Sequence, residues 1–129
     1  DKALAKAISA MISWGHGPTA HMHDNTQPGH SFIGYGNRLM ALNNQDALRA
    51  DLTACNTYTN GPDATKSITQ PALCILAEND RMTPLKYGEQ MAATIANAEM
   101  KVIARAGHML PAEYPAEVNS ALRSFFQQP

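Results

Sequence analysis

With 129 residues, 44% of them hydrophobic and 16% charged, the chain has the make-up of one folded domain, which excludes a disordered, collagen-like or fibrous protein. Ten Lys and Arg against eleven Asp and Glu leave a formal charge of −1, no footprint for a polyphosphate backbone, so nucleic acid is not an expected partner. The longest uninterrupted apolar run, "ALCILA" at 72–77, is far shorter than the roughly 20 residues of a membrane-spanning helix, and no membrane partner is expected either.

The chain opens on "DKALAKAISAMI", already in helical rhythm and without an initiator methionine, so it reads as a piece of a longer protein. Leu4, Ile8, Met11 and Ile12 form one stripe of a first helix, which "WGHGP" at 14–18 ends. "TAHMHDNTQPGH" at 19–30 has turn formers and no period, and is expected to be a loop. From Ser31, a plausible N-cap, Phe32, Tyr35, Leu39 and Leu42 suggest a helix weakened by Gly34 and Gly36. Leu48, Leu52 and Cys55 mark another short helix behind Asn43 and Asn44, and "YTNGPDATKS" at 58–67 is expected to be the hinge to the second half.

After that hinge the pattern sharpens. "PALCILA" is an apolar run behind a proline, the signature of a parallel strand covered on both faces, and "AEND" follows at its end. Thr83 and Pro84 offer an N-cap and a first-turn proline for a helix carrying Gly88, Met91, Ala92 and Ile95 on one face; Asn97 is expected to end it. "EMKVIAR" at 99–105 reads as a second strand, Gly107 as the residue permitting a sharp turn, and Pro115 as the start of a last helix with Val118, Ala121, Leu122, Phe125 and Phe126 inward. The fold class is therefore α/β, with strand, acid, helix, strand, histidine and helix in succession.

Parallel strands joined through a helix lie side by side with their C-terminal ends at one edge of the sheet, the edge where ligands bind in open α/β folds. Asp80 stands just past the first strand and His108 just past the second, so the two side chains are expected to meet. Imidazole exchanges a proton near neutrality, and a carboxylate on its Nδ1–H fixes the tautomer and stabilises the imidazolium as it forms. The bland alternative makes His108 a polar turn residue and Asp80 a helix-start residue.

"PALCILAENDRMTP" together with "KVIARAGHMLPAEYPAEVNSALRSFF" resembles the C-terminal end of the α/β-hydrolase fold family, with an acid loop D-x-x-T-P and a histidine loop G-H-M-x-x-x-E-x-P. The resemblance spans 70–126 and implies that Asp80 is the triad acid and His108 the general base. Glu113 fits the family's acidic residue before the last helix, although a favourable charge near a helix N-terminus is the preferred explanation. Residues 1–65 look like the helical cap of many members, with 66–129 as the C-terminal core segment.

That family places its nucleophile on a G-x-S-x-G elbow ahead of the acid and the histidine. Ser9, Ser13, Ser31, Ser67, Ser120 and Ser124 all lack the flanking glycines, so the nucleophile, the oxyanion donors and the first strands are expected upstream, and the chain alone is expected to be inactive. The resemblance implies hydrolysis of a small ester with no metal or organic cofactor, the only other partner being the N-terminal part of the same fold. A non-catalytic relative kept as a binding module is the main alternative. His16, His21, His23, Asp24 and His30 invite a metal reading, resembling in part the H-x-H-x-D-H run of metallo-β-lactamase-type hydrolases, but the second acid and last histidine are not at the required positions. Trp14 is expected to be a buried helix-end anchor or, failing that, a pocket wall; Met82 and Met91 are expected to fill the core. Cys55 and Cys74 are too few for a disulfide framework and both fall on apolar faces, so a reducing, cytoplasmic setting is the default.

Overall fold

The computed structural model describes residues 2–23 and 31–127. Helix α1 (Lys2–Gly15) buries Ile8, and with Leu4, Met11 and Ile12 half-buried its predicted stripe faces inward. The stretch expected to be a loop instead begins with a short helix, α2 (Pro18–His23), started by a proline whose missing N–H is no loss in a first turn; the rest of it, 24–30, lies outside the described residues. In α3 (Phe32–Ala41) Ser31 is the predicted cap, its Oγ accepting from the N–H of Gly34 at 2.6 Å. Helices α1 and α3 pack on each other. Asn44 caps α4 (Gln45–Thr57) by accepting from Ala47 N–H at 2.8 Å, so the predicted short helix runs to 13 residues. Its stripe finds little cover among the described residues: Leu48 is half-buried, whereas Leu52 and Cys55 are exposed. The expected hinge contains one more short helix, α5 (Gly61–Lys66).

Strand β1 (Ala72–Ala77) pairs in parallel with β2 (Ala98–Ile103), from Ala72 opposite Ala98 to Ala77 opposite Ile103. Alternation along β1 sends its side chains to two layers. Ala72, Cys74 and Leu76 meet Ala92 and Ile95 of the α6 region, and Ile75 and Ala77 meet Ile103, Ala106, Leu110 and Val118 on the other side. The strand is thus covered on both faces, as its unbroken apolar run requires. Within the described residues the sheet has these two strands alone, so the outer edge of each is without a neighbouring strand.

Helix α6 (Leu85–Thr94) follows β1, and α7 (Leu110–Glu113) and α8 (Pro115–Phe126) follow β2. Two expected boundaries shift: α6 closes at Thr94 with Ile95 as its C-cap rather than at Asn97, and its N-cap position is held by Pro84 instead of Thr83. Residues 98–103 form the strand, and the turn after it is made by Arg105, not Gly107. Arg105 has φ 64°, in the left-handed region that non-glycine residues seldom occupy. Its N–H is taken by the Glu78 carboxylate at 2.8 Å, an anchor that offsets the strain. No helix among the described residues is long and apolar enough to cross a membrane.

Candidate active site

The parallel ladder continues past both strand ends: Glu78 N–H donates to Ile103 C=O at 3.1 Å and Asn79 N–H to Ala106 C=O at 2.9 Å. These two bonds carry the acid loop and the histidine loop out of the sheet together, so residues far apart in sequence arrive at one edge. Asp80 is then fixed by its own loop. Its Oδ1 accepts from the N–H groups of Met82, at 2.9 Å, and Thr83, at 2.8 Å. Its Oδ2 accepts from the Thr83 hydroxyl at 2.8 Å and from His108 Nδ1 at 2.9 Å.

That arrangement is the physical content of D-x-x-T. A short carboxylate reaches the backbone N–H groups two and three residues on, which closes the turn, and the threonine at the third place adds a hydroxyl donor. Thr83, expected to cap α6, is drawn to Asp80 instead, and its Oγ1 also lies 3.3 Å from His108 Nδ1. Partial burial pushes the Asp80 carboxyl up, but the donors from the Thr83 backbone, His108, the Thr83 side chain and the Met82 backbone outweigh it and hold the group below the usual aspartate range. An ionised carboxylate can only accept, so the contact is made by a proton on His108 Nδ1, which in the neutral ring leaves Nε2 with its lone pair. The acid is nearly enclosed and the base is open: 10% of the Asp80 side chain is exposed against 37% of His108. Asp80, Thr83 and His108 stand at one end of an apolar space of about 660 Å³ that runs between α6 and α8 along the edge of β1 that has no neighbouring strand among the described residues.

Several other expectations need correction. Trp14 is 51% exposed, with the Arg81 guanidinium carbon 5.8 Å from its ring centroid, so it is not a buried anchor. Met82 and Met91 are also exposed among the described residues rather than core filling. Cys74 is buried, but Cys55 is not. Glu113 does not serve the N-terminus of α8. Its Oε2 accepts from Gly17 N–H at 2.8 Å and Gly107 N–H at 3.3 Å, and no local sequence signal announces a partner as remote as Gly17. Of the histidines in the metal reading, His16 uses Nδ1 on Ile12 C=O and His21 uses Nε2 on Ser13 C=O. The side chain of His23, and Asp24 and His30, lie outside the described residues, and no group of three or more metal-ligating side chains is formed among those described.

A parallel strand–helix–strand unit, its carboxylate and imidazole joined at the C-terminal edge of the strands, is the arrangement of the α/β-hydrolase fold. Solved structures similar to this one have that fold. A hydrolase from Pseudomonas aeruginosa PA01 superposes with a TM-score of 0.81 at 21% identity, over 97% of this chain and 44% of its own. A bromoperoxidase from Bacillus anthracis gives 0.78 at 21% identity, over 96% and 44%. A thermophilic esterase gives 0.73 at 31% identity, over 95% and 46%. Among curated proteins, the Bacillus subtilis (strain 168) protein called uncharacterized hydrolase YugF is 29% identical over 66 residues, 51% of this chain and 24% of that protein. The TAP-like protein family matches residues 41–129, and the chain belongs to this family of α/β-hydrolases. It spans less than half the length of those solved structures.

Proposed function

We propose that the chain supplies the acid and the base of a nucleophile–His–Asp triad in a hydrolase acting on a small ester. The observation that carries this reading is the 2.9 Å contact between Asp80 Oδ2 and His108 Nδ1, with Asp80 held by three further donors. His108 Nε2 takes the proton of the attacking hydroxyl as its oxygen bonds to the ester carbonyl carbon. The imidazolium then gives that proton to the leaving alcohol as the acyl–oxygen bond breaks. Water, activated by the same nitrogen, frees the acid and restores the hydroxyl. Asp80 orients the ring and balances the transient positive charge throughout.

The hydroxyl itself is assigned to the part of the complete protein that precedes residue 1, with residues 1–65 as the cap. Ser31 and Ser67 are engaged locally, in the cap of α3 and on Ala64 C=O, and both recorded polar contacts of His108 are made through Nδ1. The esterase among the structural relatives supports an ester as substrate. No metal or organic cofactor enters this chemistry. In the complete protein, His108→Ala and Asp80→Asn are each expected to lower kcat/KM for a chromogenic short-chain ester by about 10²–10⁴-fold while the folded fraction is kept. Unchanged turnover in both variants contradicts the assignment.

A further inference from the structure

The histidine loop is fastened to the helical first half at a single place. Met109 N–H donates to Gly15 C=O at 2.9 Å, and the hydroxyls of Thr19 and Tyr114 lie 2.8 Å apart. Between these bonds sits Glu113 Oε2, accepting from Gly17 on one side and from Gly107 on the other. The backbones of Gly17 and Gly107 are in such close approach that a methyl at Gly17 would come within 2.6 Å of Arg105 O and of Gly107 N, so neither position has room for a side chain. Glu113 Oε1 is buried without a hydrogen-bond partner among the described residues. The N–H groups on either side of His108 are therefore both committed here, one to the Glu113 carboxylate and one to Gly15.

We propose that Glu113 is a positioning residue that couples the Gly15–Thr19 segment to the histidine loop and so holds the His108 ring at hydrogen-bonding distance from Asp80. A buried carboxylate atom with no partner is costly to keep. One accepting oxygen shared by two backbone donors from distant segments is what that cost maintains. The role requires reach and an acceptor oxygen, and it does not require charge. The inference rests on the triad reading given above.

Two substitutions separate these requirements in the complete protein. Glu113→Gln keeps the length and can present its amide oxygen to both N–H groups; Glu113→Asp keeps the charge and is one methylene too short. Glu113→Gln is expected to hold kcat within about threefold of wild type with some loss of Tm, and Glu113→Asp to lower kcat by about 10- to 100-fold with little change in KM, because a displaced base loses rate rather than binding. The downfield proton resonance of His108 Nδ1–H is expected to persist in Glu113→Gln and to move upfield or broaden in Glu113→Asp. A reversed order, with Asp active and Gln impaired, overturns the proposal in favour of a purely electrostatic effect. Lower Tm in both variants with wild-type kcat and an unmoved resonance overturns it in favour of a purely stabilising role. His108→Ala is the control: if it retains wild-type turnover, the triad reading falls and the positioning role with it, whereas an inactive His108→Ala beside a fully active Glu113→Asp removes the positioning role alone.

Discussion

The strand–helix–strand half and the helical half solve the problem of burying apolar surface to different degrees. In the former, β1 has a layer on each face, and Cys74, Ala77, Ile95 and Ile103 are buried. In the latter, α3 and α4 leave Tyr35, Leu39, Leu42 and Leu52 exposed, and among the described residues only α1 and α2 contribute buried apolar side chains, Ile8 and Ala20. The sheet half is held by its own packing, and the catalytic groups proposed here sit on its loops. Among the described residues the helical half hydrogen-bonds to the histidine loop through one short segment, Gly15–Thr19, so its influence on the imidazole is channelled through a few bonds.

That contrast can be broken experimentally. Ile103, 5% exposed, sits at the end of β2 against Ala77 and Leu110, and Ile103→Ala is expected to cost about 2–5 kcal/mol of unfolding free energy in the complete protein. Leu52 on α4 is 52% exposed, and Leu52→Ala is expected to cost about 0.5 kcal/mol or less. Urea titrations of the two variants check both values, and equal losses would mean that α4 is covered in the complete protein.

A smaller effect comes from Asp80. Its folded carboxyl binds a proton more weakly than the unfolded one, so its stabilisation is full above the unfolded aspartate value of about 3.9 and is lost as the pH falls through the lowered folded value. Asp80→Asn is expected to flatten that part of the stability–pH curve, and thermal melts across the acid range read it. The exposed Arg81–Trp14 pair also contributes little: Arg81→Ala is expected to cost about 0.5–1 kcal/mol by the same melts at neutral pH.

The two halves also differ in how far they can be read from sequence. An unbroken apolar run in β1, a proline before β1 and another opening α8, and the helical spacing of α8 marked the second half correctly, because those signals are local and the packing agrees with them. Asp80 and His108 could be brought together on paper because parallel topology alone sends them to one edge. Thr83 was misleading since Thr-Pro is a good helix start, but a carboxylate three residues earlier competes more strongly for its donors. The turn at Arg105 was concealed because its strain is offset by Glu78, on another loop. Helix α2 has too few residues to show a period, and the task of Glu113 depends on a glycine in the other half of the chain. Local chemistry was legible; long-range backbone contacts were not.

The central claim is that Asp80 fixes the His108 tautomer so that Nε2 is the working base. Long-range ¹⁵N–¹H correlation spectra of the complete protein with labelled histidine test it most directly. The account predicts that neutral His108 carries its proton on Nδ1, with Nε2 showing the shift of an unprotonated imidazole nitrogen, and that Asp80→Asn disturbs this pattern. A proton on Nε2, or a tautomer indifferent to Asp80→Asn, would contradict it.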